Sequence, residues 1–242
     1  EDYINSHYVI MATKKGQVKK TPLEQYSRPR TNGINAITIK EGDELLEAKL
    51  TTGDSQVMLA VKSGKAIRFE EEKTRSMGRN ASGVRGIRLN SEKDEVIGMI
   101  TINESETDVL VVSENGYGKR SSLEDYRITN RGGKGVKTIS VTEKTGNLVA
   151  IKNVTDSDDL MIINKSGIAI RLAVENLRVM GRATQGVRLI KVRAGDAIAA
   201  VAKVMSDDDD VELDEDGNKI IPENNESLDK EANDSSKINE EE

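Results

Sequence analysis

Apolar residues in this chain come in short blocks rather than in helical stripes. The blocks at 9–12, 57–61, 109–112 and 160–163 are rich in β-branched side chains and run directly into turn residues, the pattern of a strand entering a hairpin. No apolar set at three- and four-residue spacing persists beyond about one helical turn, so the pattern predicts an all-β protein. With five Tyr, one Phe and no Trp, aliphatic side chains must fill its core.

Aligning the blocks reveals a repeat, which sets the architecture. The turn glycines Gly16, Gly64, Gly116 and Gly167 stand 48, 52 and 51 residues apart, in KKGQ, KSGK, ENGY and KSGI. A glycine at positive φ there lets a tight hairpin reverse with the twist of its strands. Four residues after each comes a base: Lys20, Arg68, Arg120 or Arg171. A short hydrophobic-then-acidic segment follows, as in LEQY (23–26) and LEDY (123–126). It leads into a polar loop with Arg28 and Arg30, Arg75 and Arg79, Arg127 and Arg131, or Arg178 and Arg182. Gly33, Gly83, Gly135 and Gly186 lie 17, 19, 19 and 19 residues after the first glycine and open alternating segments, GINAI, GVRGI, GVKTI and GVRLI. A last strand is expected from Asp43, Asp94, Asn147 and Asp196. Each unit of about 50 residues with four strands has the size of a propeller blade. The units fall at about 4–54, 55–104, 105–156 and 157–205. With one hydrophobic face each, such sheets gain stability by stacking.

The formal net charge of −6 hides a split. Residues 206–242 hold 16 acids and three lysines, a net −13, so residues 1–205 carry +7. A segment so acidic and so poor in large apolar side chains is expected to be disordered, and to compete with any polyanion for the basic body. The absence of Cys rules out disulfides, thiol chemistry and Cys-ligated metal, and His7 as the only histidine rules out sites needing two imidazoles. No apolar run approaches the ~18–20 residues of a membrane span, so a cytoplasmic protein without a membrane partner is expected. The chain opens at Glu1 without a Met or a leader, and is expected to be a piece of something longer.

Folding requires the repeated glycines and aliphatics, but not the repeated Lys and Arg. A base beyond each hairpin and more in each loop would form a basic band along one edge of the stacked sheets. That band suits the phosphates of double-stranded DNA, spaced about 1.7 Å per charge. The candidate contacts are Lys14, Lys15, Lys20, Arg28, Arg30, Lys65, Arg68, Arg79, Arg85, Lys119, Arg120, Arg127, Arg131, Lys134, Arg171, Arg182 and Arg188, with Gly132 and Gly133. Gly132 and Gly133 belong to the loop Asn130-Arg131-Gly132-Gly133-Lys134-Gly135, whose amides could approach a phosphate closely. Two or three contacts per unit give Z of roughly 8 to 12 and a log-log salt slope of about −7 to −11. The scarcity of aromatics argues against stacking on single-stranded bases.

The string ENGYGKRSSLEDYRITNRGGKGVKTI (114–139), with GRNASGVRGI (78–87) and TQGVRLI (184–190), resembles the C-terminal domain of the A subunit of bacterial DNA gyrase over about residues 1–205. The resemblance implies a β-pinwheel, a propeller relative whose blades exchange strands and whose basic rim wraps duplex DNA. The chain would supply the last four of six blades and an acidic tail. The family's Gln-Arg-Arg-Gly-Gly-Lys-Gly box sits in its first blade. Here a related loop lies in a later repeat, with Thr129 and Asn130 in place of Gln and the first Arg, so DNA contact carries over and the box's own role does not. The resemblance also implies partnership with the remainder of the A subunit, with the B subunit completing a heterotetramer. ATP and Mg2+ would be used in other domains and no cofactor in this chain. The alternatives are a propeller-like protein-interaction module and the C-terminal domain of the topoisomerase IV A subunit.

Three other motifs lead nowhere. None of the five tyrosines follows an Arg as the family's DNA-cleaving tyrosine does, and Gly64-Lys65 continues into Ala66 where a phosphate-binding loop needs Ser or Thr. Glu212, Asp214, Asp216, Gly217 and Glu223 fit calcium-loop spacing, but the first is not Asp and no amphipathic helix flanks them. His7 has no partner that would make it a ligand.

Overall fold

The computed structural model describes residues 2–103 and 107–205. The expected tail disorder and the calcium-loop match lie outside them. The first repeat contributes a five-residue helix, α1 (Asp2–Ser6), and strands β1 (Tyr8–Thr13), β2 (Gln17–Pro22) and β3 (Leu45–Thr51). The second contributes β4 (Gln56–Val61), β5 (Lys65–Glu70), β6 (Val84–Arg85) and β7 (Val96–Ile102). The third holds β8 (Asp108–Ser113), β9 (Tyr117–Ser122), β10 (Val136–Lys137) and β11 (Leu148–Val154). The fourth holds β12 (Asp158–Asn164), β13 (Ala169–Ala173), β14 (Val187–Arg188) and β15 (Ile198–Met205). The hydrophobic-then-acidic segments close into single 3-10 turns at Leu23–Tyr26, Glu71–Lys73, Leu123–Asp125 and Val174–Asn176.

Each central hairpin is antiparallel and tight, as in Val61↔Lys65 and Gln56↔Glu70. Every last strand returns antiparallel beside the first, as in Val57↔Thr101. These last strands start one or two residues later than expected, because the preceding acid is spent on the hairpin turn. Asp94 accepts from the Ser63 amide at 3.0 Å and from its hydroxyl at 2.7 Å, and Asp43 and Asp196 do the same for the Lys15 and Ser166 amides.

The sheets do not coincide with the sequence repeats. Their orders are β3-β1-β2-β6, β10-β5-β4-β7, β11-β8-β9-β14 and β13-β12-β15. The segment opened by each second glycine therefore leaves its own repeat and completes the sheet before it. Only two residues pair, Val84↔Val18 and Arg85↔Gln17 in the first case, so the alternating run is much shorter than the five residues expected. Its first-repeat counterpart, Ile34-Asn35, lies in no strand.

The exchange explains the regular spacing of the turn glycines. Gly116 has φ +79°, and a Cβ on it would collide with the Ile190 carbonyl oxygen. The Leu189 and Ile190 amides donate to the Gly116 oxygen at 2.9 and 3.3 Å, so the incoming repeat rests on the hairpin itself.

The core lies between consecutive sheets. On β4 and β5, Val57, Leu59, Val61, Ile67 and Phe69 face Ile10, Ala12 and Val18 of the first sheet. Met58, Ala60 and Ala66 face Val109, Val111 and Tyr126 of the third. A third cluster joins Leu110 and Val112 to Leu160, Ile162 and Val201. The inner sheets are thus buried on both faces rather than one, which is why their central strands read as continuous apolar runs.

Candidate nucleic-acid interface

Strand exchange brings the four polar loops into a chain along one edge. The Thr38 amide donates to Ala81 O at 3.3 Å, Arg88 to Gly133 O at 2.8 Å and Ser140 to Thr184 O at 3.1 Å. One arginine in each of the last three loops reaches back to the repeat before it: Arg79 Nη1 to Asn35 O at 3.0 Å, Arg131 Nη1 to Arg85 O at 3.1 Å and Arg182 Nη1 to Lys137 O at 2.7 Å. The Nε of Arg131 and Arg182 also donate, to Lys73 O and Asp125 O. These arginines fix the spacing of the loops, and their Nη2 atoms donate to none of the described residues.

Three of the four bases that follow the hairpin glycines are turned into the contacts between repeats, a correction to the sequence reading. Lys20 is buried, its Nζ 3.9 Å from Glu71 Oε1 and 5.0 Å from the Tyr8 ring centre. Arg68 is held by Gln56 Oε1 at 2.7 Å and by the carbonyls of Leu123 and Tyr126 at 2.8 and 3.0 Å. Arg120 pairs with Asp108 at 2.5 Å and Asp156 at 2.6 Å and reaches Val174 O. Each cation thus ties its strand to the 3-10 turn of the next repeat. Arg171 pairs with Asp159 at 2.7 Å. The signal was in the sequence, since Gln56, Asp108 and Asp159 each lie twelve residues before the arginine they hold.

Lys119 is 1 % exposed and donates to Gly181 O at 2.6 Å and Thr184 Oγ1 at 3.3 Å. Burial pushes its pKa down to about 8. Lys19, absent from the sequence candidates, does the same two interfaces earlier: it donates to Ala36 O and Arg79 O, and burial lowers it to about 8. Ile67 and Ile170 take the corresponding places in the other two repeats, so two contacts between repeats are polar and one is apolar.

The glycine loop also differs from expectation. The Gly132 amide, read as free for phosphate, donates to Gly86 O at 2.6 Å, and Gly133 O accepts from Arg88. A Cβ on Gly135 would lie 2.5 Å from Ala66 O. The glycines let this loop seat against β5 and the loop before it, while Lys134 stays exposed.

What remains is a set of outward cations. Lys15, Arg28, Arg30, Arg85, Arg127 and Lys134 are exposed and form no side-chain hydrogen bond or ion pair with the described residues. Arg188 is exposed and fixed, its Nη2 2.8 Å from the Tyr117 hydroxyl and its guanidinium over that ring. Lys65 donates to Asn90 at 3.1 Å. Lys14 pairs with Glu44 at 2.6 Å and lines a cavity of about 330 Å³ with Leu46, Lys62, Glu95 and Lys165, apart from the loops. Arg75, Arg88, Lys137 and Arg178 are among further exposed cations that have no side-chain partner among the described residues and were not among the candidates. Lys137 was legible as the counterpart of Arg85 and Arg188 in the GVR segments. Among the described residues no group of His, Asp and Glu could hold a metal ion, and no helix is long and apolar enough to cross a membrane.

The family model for the DNA gyrase C-terminal domain, β-propeller, matches residues 7–52, 56–103, 107–155 and 158–205. The DNA gyrase A subunit of Staphylococcus epidermidis is 47 % identical over 203 residues, covering 84 % of this chain and 23 % of the relative. The chain therefore spans about a quarter of the length of the curated relatives it matches. Among solved structures, a C-terminal domain of DNA topoisomerase IV superposes with a TM-score of 0.79 at 23 % identity, covering 84 % of this chain and 63 % of that one. A DNA gyrase A C-terminal domain gives 0.74 at 24 % identity, covering 83 % and 67 %. At such identities these two establish the fold.

Proposed function

Since the chain belongs to the DNA gyrase C-terminal domain family, we propose that it is the non-catalytic DNA-wrapping domain of a gyrase A subunit, bending duplex DNA around its chained loops. In the whole enzyme it would work in the cytoplasm with the other domains of its own polypeptide and with the B subunit, supporting ATP-driven negative supercoiling. ATP and Mg2+ would be handled by those other parts and the chain itself would carry no cofactor.

The observation that carries this reading is the row of exposed cations without acidic partners among the described residues, on loops that are hydrogen-bonded to one another. Water alone satisfies an exposed cation, but solvation does not require a base at the same place in successive repeats, as at Arg85, Lys137 and Arg188. Held on a chained scaffold, the cations meet successive phosphates without much rearrangement. The contacts offset the ~1–6 kcal/mol needed to bend 20–30 base pairs. Because three of the four bases after the hairpins are turned inward, the count per repeat falls to about two, and the expected log-log salt slope moves to about −6 to −8. Gel shifts with a duplex at several salt concentrations test this. Affinity should be similar for unrelated sequences and fall with that slope; no shift at low salt would refute it.

A further inference from the structure

The rim also carries exposed aliphatic side chains at a repeated place. Ser76, Ile128 and Val179 form isolated parallel bridges to Lys20, Arg68 and Arg120. The amides of the following residues, Met77, Thr129 and Met180, donate to the same three carbonyls at 2.8 Å. This stretch of backbone is therefore pinned to the sheet before it. Ile128 is nevertheless 46 % exposed and Val179 52 %. Each directly follows an exposed arginine, Arg127 or Arg178, that makes no side-chain bond with the described residues. In the fourth repeat a third aliphatic joins them. Val187, 39 % exposed, pairs with Gly118, two residues along β9 from the Arg120 that Val179 bridges, and the fixed Arg188 comes next. A single exposed valine needs no explanation. A rigidly held aliphatic beside an unpaired arginine in two successive repeats is a different matter.

We propose that Ile128 and Val179, assisted by Val187, are non-ionic DNA contacts: they pack against the deoxyribose walls of the duplex minor groove while Arg127 and Arg178 hold the adjoining phosphates. The inference rests on the reading of this edge as the DNA-wrapping face and adds how it grips. A duplex curved around a protein is compressed where its minor groove faces inward. There the sugars offer apolar surface, and branched aliphatic side chains suit it. The positive charge on either side selects a polyanion over an apolar protein partner. The first two repeats, with Arg28 and Ser76 at this place, would grip through charge and polar contact, so the last two would carry the part of the affinity that salt does not screen.

Ile128→Ser/Val179→Ser tests this. Ser already stands at the place in the second repeat, so the change suits the backbone, and an unaltered melting temperature would establish that the variant folds. Loss of two buried aliphatic contacts should weaken duplex binding about ten-fold at every salt concentration and leave the salt slope unchanged. Arg127→Ala/Arg178→Ala should instead lower the slope by about 2. On an AT-rich duplex, filling the minor groove with netropsin should weaken the parent more than the Ser variant, whereas replacing thymine by uracil should affect neither. If the parent binds and the Ser variant binds equally well, the inference fails and the wrapping function stands. It fails likewise if the Ser variant lowers the slope, or if removal of the thymine methyls weakens the parent. A parent without duplex affinity would remove the reading beneath it.

Discussion

At the scale of single residues, the hairpin glycines show how one sequence feature serves two needs. Gly116 and Gly167 share a positive φ, +79° and +85°, but the incoming Ile190 crowds Gly116 and nothing lies within 4 Å of where a Gly167 Cβ would be. Gly167→Ala should cost about 1 kcal/mol, the left-handed conformation alone. Gly116→Ala should cost several times more, because backbone must also move. Thermal melts of the two purified variants check this, and equal losses would mean that Ile190 does not rest on the turn. Lys119 gives a prediction in pH. Its pKa is about 8 in the folded protein and 10.5 ordinarily, so between those values the unfolded chain holds more protons and folding is favoured as pH rises. Below about pH 8 both states are charged and the contribution is flat. The melting temperature of the parent should climb relative to that of Lys119→Met between pH 7.5 and 9.5; parallel curves would contradict the buried setting of the ammonium.

At the scale of elements, the loop 130–135 divides into a structural and a contacting part. Arg131 spends two nitrogens on carbonyls of the preceding repeat, whereas Lys134 has no partner among the described residues. Lys134→Ala should lower the salt slope by about 1 with no change in melting, since one phosphate contact goes. Arg131→Ala should lower the melting temperature and weaken DNA binding through the displaced loop, because two hydrogen bonds that hold the loop to the preceding repeat are lost. Titrations at several salt concentrations beside melts separate the two; an Arg131 variant that melts like the parent would restore that residue to a purely phosphate-facing role. The strand pattern of these elements was legible where alternation or an apolar run met a turn glycine. The 3-10 turns were not, since segments such as Leu123–Asp125 form in answer to Arg68, which belongs to another repeat.

At the scale of the whole molecule, the sequence alone determined the all-β class, the four repeats, the hairpin turns and the positive sign of the body. Each of these depends on local chemistry: β-branched blocks, glycines able to take positive φ, and a count of charges. It also carried the family resemblance, through GVR segments and the loop 130–135. Which cations face outward was decided by tertiary structure alone. Lys20, Arg68, Lys119 and Arg120 look like their neighbours in sequence, yet they are turned inward by acceptors 12 to 65 residues away. Arg75, Lys137 and Arg178 face outward and meet no such acceptor among the described residues. The sheet membership of β6, β10 and β14 was equally beyond the local pattern, because two-residue strands have no periodicity to read. Their place is set by where the next repeat must cover the hairpin before it. Burial of both faces of the inner sheets follows from that stacking, and the contacts that decide it lie between repeats rather than within any one of them.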